Sequence, residues 1–200
     1  MSDWVELSIQ DVEQKSKTLA AIVSSTYTPD CVVFVARGGY LLGRSMAEFF
    51  AVPLAEISAK RCGGGLKKLI FPLLQLLPRS LSVMLRRKEF SSGVHKEHQE
   101  RRIEFDVEQM EQLVGIPQRM LLVDDSVDTG HTILQCKHYL QQLYPECQIK
   151  VAALNVWSMS CERLTTEYTI WRDTILLGPW SNDSKEKQQH DQLYLQAMTK

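Results

Sequence analysis

The chain has 200 residues, of which 44% are hydrophobic and 24% charged, and its formal net charge is −1. This composition indicates a single domain, residues 1–200, with a sizeable core, and it excludes fibrous, disordered and disulfide-stapled classes. A near-neutral chain has no overall positive field that would attract nucleic acid or anionic lipid, so we expect neither as a partner.

The cysteine pattern indicates a reducing compartment. The five cysteines are far apart, odd in number and include no Cys-x-x-Cys pair, which is not the pattern of a disulfide framework. The acidic N-terminus contains no apolar signal segment, and the longest uncharged run in the Leu-rich middle, Leu69 to Pro78, has ten residues, whereas a membrane span needs about 20. We therefore predict a cytoplasmic protein that does not span a membrane.

The spacing of apolar residues predicts alternating helices and strands. A helix is expected over Leu7–Val23, with Ser8 and Asp11 forming its N-terminal cap. An apolar, mostly β-branched strand, Cys31–Ala36, then leads through glycines into a helix, Tyr40–Ala51. The later predicted elements are strands Val52–Ile57, Met120–Val123, Gln148–Trp157 and Glu167–Trp171, a helix His131–Tyr144, and a polar C-terminal tail or helix over 183–200. Fully apolar strands that alternate with helices favour an α/β fold with a mainly parallel sheet covered on both faces.

The segment 60–102 interrupts this alternation. It contains eleven Lys and Arg against three Glu, so it is strongly basic within a nearly neutral chain. Pro72 and Pro78 interrupt helices, and Gly63 to Gly65 form a hinge-like tract. We predict a basic helical hood or lid inserted in the domain.

The segment Met120–Thr132 carries the most specific chemical signal. Four apolar residues lead into Asp124 and Asp125 at the predicted carboxyl end of a strand, where parallel sheets bind ligands. Adjacent carboxylates can accept hydrogen bonds from the vicinal diol of a ribose. Residues 126–132 then form a hydroxyl-rich turn that leads into a helix, and Gly130 can adopt φ > 0, as in a phosphate cradle. Diol and phosphate together indicate a ribose phosphate.

Three other interpretations of the residues in Met120–Thr132 are an aspartic protease loop, a phosphoacceptor pocket and a solvated turn. Asp-Thr-Gly after apolar residues also occurs in aspartic proteases, but that chemistry needs a second such loop in an all-β protein. The acidic cluster is also compatible with a receiver-type phosphoacceptor pocket. Taken singly, most of these residues fit a solvated turn equally well, whereas the ordered string of thirteen residues does not.

That string strongly resembles the phosphoribosyl pyrophosphate binding signature of the type I phosphoribosyltransferases: four apolar residues, two acids, two variable positions and Asp-Thr-Gly-x-Thr. Val33–Tyr40 resembles the pyrophosphate loop of the bacterial xanthine-guanine and hypoxanthine branch. Asp173–Trp180 is similar to the base-pocket segment of that branch. The resemblance implies the type I fold, a twisted, mainly parallel sheet flanked by helices, and it also implies a homodimer.

The resemblance also implies roles for individual residues. Asp124 and Asp125 would hold the ribose hydroxyls and Mg²⁺, directly or through water, and Asp128 would exchange a proton with the base. The implied 5′-phosphate residues are Ser126, Val127, Asp128, Thr129, Gly130, His131 and Thr132. The implied pyrophosphate residues are Arg37, Gly38 and Gly39, with a cis peptide bond before Arg37. The implied base-pocket residues are Trp157, Ile175 and Trp180.

The sequence departs from the family pattern around the base. Trp157 stands where 6-oxopurine enzymes have a lysine that reads the exocyclic oxygen, and Ile175 stands where an aromatic ring stacks on the purine. The flexible catalytic loop is replaced by the basic segment that starts at Lys60. Two hypotheses remain: a Mg²⁺-dependent phosphoribosyltransferase of nucleotide salvage acting on a purine-like or other nitrogenous base, or a non-catalytic nucleotide-binding module whose hood contacts nucleic acid or protein.

Overall fold

The computed structural model of the chain describes residues 4–61, 101–160 and 164–199. The chain divides into two units, Met1–Ala59 with Ile103–Lys200 and the intervening Lys60–Arg102. Nearly all of the second unit lies outside the described residues. The predicted basic hood over 60–102 therefore stays a prediction.

The residues that the structure describes include eight strands, which form two sheets. In chain order they are β1 (Trp4–Glu6), β2 (Cys31–Val35), β3 (Leu54–Arg61), β4 (Arg101–Phe105), β5 (Arg119–Val127), β6 (Gln148–Val156), β7 (Tyr168–Arg172) and β8 (Ile175–Leu177). The main sheet has the order β4-β3-β2-β5-β6-β7, and all pairings from β3 through β7 are parallel. Strands β1 and β8 pair in parallel as a separate two-stranded sheet.

Five described helices accompany these strands: α1 (Ile9–Ser24), α2 (Tyr40–Phe50), α3 (Val107–Val114), α4 (His131–Leu143) and α5 (Lys187–Met198). Alternate residues of β2 face opposite sides of the sheet, as the two-residue period of a strand requires. Val32 and Phe34 pack with α1, α2 and α5, whereas Val33 and Val35 pack with α3 and α4. Helices therefore cover both faces of the sheet, which explains why β2 is apolar throughout and why β5 is apolar from Met120 to Val123.

The predicted α/β architecture is confirmed, with one difference that affects the site. The strand expected to end at Val123 continues to Val127, because β6 is long enough to pair with it as far as Val127 opposite Val156. The side chain of Val127 is 1% exposed and lies in the core. The turn before α4 is therefore limited to residues 128–130, and Val127 can offer a ligand only its backbone.

Four short elements were not predicted from the sequence: β1, β4, β8 and α3. Strands β1 and β8 have three residues each, too few to show a period. None of the helices in the described parts of the chain is long and apolar enough to cross a bilayer.

The predicted N-terminal cap is present and gives a stability prediction. The Ser8 side chain accepts a hydrogen bond from the Asp11 amide at 3.1 Å, and the Asp11 carboxylate accepts one from the Ser8 amide at 2.9 Å. Losing such a cap costs about 1 kcal/mol. We expect Ser8→Ala to lower the free energy of unfolding by about that amount in urea titrations, whereas Lys17→Ala, an exposed change in the same helix, should have little effect. Equal stability of the two variants would contradict the capping role.

Candidate functional site

Two loops meet at the carboxyl ends of the neighbouring strands β2 and β5. Phe34, next to the end of β2, is the register partner of Val123, and β5 continues for four residues beyond this pair. A Cβ atom built on Gly38 would lie only 2.1 Å from Asp125 Oδ1, and one on Gly39 would lie 2.9 Å from the Val123 carbonyl oxygen. The loop after β2 therefore contacts the acidic pair through glycine backbone. Its peptide bond between Ala36 and Arg37 is cis, as the resemblance implies.

The helices that follow these two loops both begin at a glycine. Gly39 precedes α2 and Gly130 precedes α4, and neither helix start is capped by a side chain. Gly130 has φ +76°, the left-handed conformation predicted for it, which residues with a Cβ adopt at a cost. The helix dipole favours negative charge at both ends, where first-turn amides have no partner inside the helix, so both ends can bind anions. At α2 the Gly39 and Tyr40 amides already donate to the Val35 and Arg37 carbonyls at 3.1 and 3.2 Å, so an anion there would bind to other amides of the loop and first turn.

The acidic pair is buried between these helix ends. Asp124 is 8% exposed and Asp125 is half-buried. The Asp125 amide donates a hydrogen bond to Asp124 Oδ1 at 2.9 Å. Burial raises the pKa of the Asp124 carboxyl, and the nearby charges of Asp125 and Asp128 raise that pKa further. Burial and the charge of Asp128 likewise raise the pKa of Asp125. A bound cation or a set of hydroxyl donors would stabilise the ionised pair.

A chain of hydrogen bonds joins this turn to the segment before β8. Ser126 Oγ donates to Asp128 Oδ1 at 2.9 Å, Asn155 Nδ2 donates to Ser126 Oγ at 3.3 Å, and the Thr174 amide donates to Asn155 Oδ1 at 3.1 Å. Asn155 is completely buried. The only sequence signal for its role is an amide side chain near the end of strand β6, and this signal alone does not predict the hydrogen bonds.

The predicted base-pocket residues lie in two surroundings. Trp157 follows β6 directly, is half-buried, and its amide donates to the Val127 carbonyl at 2.9 Å. The next residue, Ser158, donates its amide to Asp173 Oδ1 at 2.8 Å, and its hydroxyl also donates to the Asp173 carboxylate. These bonds tie the end of β6 to the turn before β8.

Ile175 and Trp180 pack against other parts of the chain. The side chain of Ile175 is 6% exposed, in the strand that pairs with β1. A Cβ on Gly178 would lie 2.3 Å from Trp180 Cζ2, so the indole lies close against this backbone. The Trp180 ring also contacts His190 of α5, with ring centroids 6.3 Å apart. Of the three, Trp157 belongs to the segment that is bonded directly to β5.

No protein-family model and no curated protein matches the chain, but solved structures do. A purine phosphoribosyltransferase from Pyrococcus horikoshii is 19% identical, with 91% of this chain and 96% of that chain covered and a TM-score of 0.59. A xanthine-guanine-hypoxanthine phosphoribosyltransferase from Helicobacter pylori is 16% identical, covering 95% and 100%, with a TM-score of 0.59. A hypothetical protein from Neisseria gonorrhoeae with bound ppGpp is 14% identical, covering 98% of each chain, with a TM-score of 0.61.

The chain has the type I phosphoribosyltransferase fold. The resemblance seen in the sequence is therefore confirmed at the level of the fold. This fold brings the loop that contains Arg37 close to the acidic pair Asp124 and Asp125. The two segments are 84 or more residues apart in the chain, but β2, which precedes the loop, is adjacent to β5, which contains the acids.

The buried amide of Asn155 gives a prediction for the site. Asn155→Leu is similar in volume but removes the acceptor for the Thr174 amide, and a buried donor without a partner costs about 1 to 3 kcal/mol. We expect the free energy of unfolding, measured in urea, to fall by that amount.

The control for this prediction is Asn182→Leu, at an exposed asparagine, which should change stability little. If both leucine variants unfold at the same urea concentration as the parent protein, the hydrogen-bond chain through Asn155 does not contribute to stability.

Proposed function

We propose that the protein is a Mg²⁺-dependent phosphoribosyltransferase that transfers the ribosyl phosphate group of phosphoribosyl pyrophosphate to a purine-like or other nitrogenous base. The observation that carries the proposal is the contact of the Gly38 loop with Asp125, flanked by two helix starts without side-chain caps. Solved phosphoribosyltransferases with the same fold support it.

Each part of the substrate has a matching group. Ser126, the turn 128–130 and the first residues of α4 would bind the 5′-phosphate through backbone amides and hydroxyls. Asp124 and Asp125 would accept hydrogen bonds from the ribose hydroxyls. Arg37, exposed at the end of β2, and the amides at the start of α2 would bind the pyrophosphate. The groups that would bind the ribose and the pyrophosphate are close together because they belong to adjacent strands and their loops, and adjacent strands lie about 4.8 Å apart.

The carboxylates fit the metal ion that such a reaction uses. Asp124 and Asp125 offer only oxygen ligands, and burial disfavours their charged forms unless a cation is close. Mg²⁺ is ordinarily held by one or two carboxylates together with water and substrate phosphates. We propose that these two residues hold it, directly or through water, and that it supplies charge neutralisation for the pyrophosphate.

The remaining chemistry is assigned to this chain's side chains. The lone pair of a base nitrogen forms the bond to C1′ while the bond from C1′ to the pyrophosphate oxygen breaks, and both electrons leave with pyrophosphate. Arg37 and the amides beside it would stabilise the charge that develops on that leaving group. Asp128 would take the proton from the base, and its carboxylate is oriented by the hydrogen bond from Ser126.

Binding of the substrate tests the proposal directly. We expect phosphoribosyl pyrophosphate with Mg²⁺ to bind at about micromolar affinity, which corresponds to roughly 8 kcal/mol. The double variant Asp124→Asn and Asp125→Asn should weaken binding by about tenfold or more, because neutral amides neither balance the metal charge nor accept charge-assisted hydrogen bonds. Thr129→Val should weaken it similarly by removing a phosphate donor. Isothermal titration calorimetry measures each change.

The matched control replaces two exposed acids of α3, Glu108 and Glu111, with glutamine, which removes the same charge away from the site. It should bind as the parent protein does. Unchanged binding in the double Asn variant would remove the basis for the assignment.

Trp157 gives a prediction about the acceptor base. Without a lysine at the end of β6, the 6-oxo group of a purine loses a charged hydrogen bond that contributes about 1.5 to 3 kcal/mol. We expect guanine, hypoxanthine and xanthine each to be used about ten- to hundredfold less efficiently than by ordinary purine-salvage enzymes. Trp157→Lys should raise kcat/KM for a 6-oxopurine, measured by steady-state pyrophosphate release.

Trp157→Met is the control, since it removes the ring without adding a charge and should not raise that efficiency. Ordinary salvage efficiency in the parent protein would show that another donor reads the oxo group.

The alternative function is a non-catalytic module that binds phosphoribosyl pyrophosphate or a nucleotide, with the basic segment contacting nucleic acid or protein. The Neisseria gonorrhoeae protein, which has the same fold and was solved with bound ppGpp, supports this alternative. Incubation with Mg²⁺, phosphoribosyl pyrophosphate and a panel of bases separates the two functions, because only an enzyme releases pyrophosphate.

We further propose that the protein acts in nucleotide salvage in the cytoplasm and forms a homodimer. Cys31, Cys136 and Cys147 are free thiols, which is compatible with a reducing compartment.

A further inference from the structure

The C-terminal helix α5 reaches the loop after β2. The Arg37 guanidinium lies over the ring of Tyr194 from this helix, 5.3 Å from the ring centroid. Within the described residues, Arg37 forms no ion pair with a carboxylate at 4.0 Å or less. A cation held by an aromatic face keeps its charge, and the five N–H donors of a guanidinium exceed what one tyrosine hydroxyl can accept, so donors remain for an anionic ligand.

The Tyr194 ring is itself held in place on several sides. It is 7% exposed and packs edge-on against Tyr40 and Phe34, with centroid distances of 5.6 and 6.5 Å. Its hydroxyl donates a hydrogen bond of 2.8 Å to Glu56 Oε2 on β3. Burial, together with the Glu56 carboxylate, raises the pKa of Tyr194 by more than the neighbouring Arg37 guanidinium lowers it through its charge and a hydrogen bond. The hydroxyl therefore remains a donor at neutral pH.

The hydrogen bond from Tyr194 also gives the Glu56 carboxylate a partner other than Arg37. Glu56 is the register partner of Phe34, close to the carboxyl end of β2, where a carboxylate could compete with a ligand anion for Arg37. The Tyr194 hydroxyl donates to this carboxylate instead. The same side chain therefore contacts the guanidinium with its ring and the neighbouring carboxylate with its hydroxyl.

We propose that Tyr194 is a positioning residue, which orients Arg37 toward the pyrophosphate group and is itself fixed by Glu56, so that α5 forms part of the pyrophosphate site. This inference rests on the proposed function for the identity of the anion. It assigns a role to the polar C-terminal segment, which the sequence resemblance does not cover.

The test is a double-mutant cycle on the affinity for inorganic pyrophosphate with Mg²⁺, measured by calorimetry on the full chain. Tyr194→Leu removes the ring and should weaken pyrophosphate binding by about fivefold to thirtyfold. Tyr194→Phe keeps the ring but loses the tie to Glu56, and it should weaken binding by a smaller factor. In an Arg37→Ala background, neither Tyr194 substitution should weaken binding further. Purely structural damage would instead add to the Arg37→Ala effect.

A second readout examines the free protein. The ring current of Tyr194 should shift the Arg37 side-chain NMR resonances, and Tyr194→Leu should abolish that shift while Tyr194→Phe retains most of it. The control pair is Tyr168→Leu and Tyr168→Phe, at a tyrosine of β7 with a similar exposure of 8% whose hydroxyl bonds Thr26 and Lys150. These variants should leave both the pyrophosphate affinity and the Arg37 resonances unchanged.

The outcomes separate this inference from the proposed function. If the parent protein binds pyrophosphate and the Tyr194 variants bind it equally well, or weaken it equally with and without Arg37, the positioning role is wrong and the proposed function stands. If the parent binds neither pyrophosphate nor phosphoribosyl pyrophosphate, the proposed function fails, whatever the resonances show. If Tyr194→Leu does not fold, Tyr194→Phe tests the part of the role that depends on the hydroxyl bond to Glu56. Weaker pyrophosphate binding that disappears in the Arg37→Ala background supports the positioning role, and unchanged binding contradicts it.

Discussion

The close approach of Gly38 to Asp125 is the contact on which the geometry of the site depends. Strands β2 and β5 are adjacent and parallel, so the loop that leaves the carboxyl end of β2 must run beside the last residues of β5, Asp125 among them. They fit because Gly38 and Gly39 have no side chains where a Cβ would meet a carboxylate or a carbonyl within 3 Å. Any larger residue would push the two loops apart and with them the starts of α2 and α4.

The same constraint explains the electrostatics. Parallel strands followed by helices place helix N-termini at one edge of the sheet, and each N-terminus carries a partial positive charge. The carboxylates of Asp124, Asp125 and Asp128 lie at this edge too. Burial disfavours the ionised forms of Asp124 and Asp125, and the charge of Asp128 adds to that effect. Such a mixture of positive helix ends and crowded carboxylates suits a ligand that combines anionic groups, hydroxyls and a bound cation. Without such a ligand, the buried carboxylates repel one another and are poorly solvated, so the arrangement is unfavourable for the stability of the fold.

The sequence predicted the parts of the fold and site that depend on neighbouring residues. The apolar run of β5, the acids that follow it and the left-handed Gly130 all lie within one short segment, so their pattern is visible without the fold. Asn155, Glu56 and Tyr194 were not predicted, because each acts through contacts with residues 19 to 138 positions away. Strand β5 was predicted too short because its last residues, Ser126 and Val127, are held by pairing with β6, which a local pattern does not reveal.

The two ends of the site use their polar groups differently. At one end, the carboxylates of Asp124 and Asp125 lie beside the loop that contains Arg37 and Gly38, where the proposed function places the ribose and pyrophosphate groups. At the end of β6, polar side chains join segments of the chain to one another, since Asn155 bonds Thr174 and Ser158 bonds Asp173. The bonds from Ser158 also lower the pKa of Asp173. What this end adds is the half-buried ring of Trp157, and stacking on an aromatic ring contributes about 1 to 3 kcal/mol for any base. For the proposed reaction, affinity would therefore come from the phosphate end, and the choice of base from the shape of the space beside Trp157.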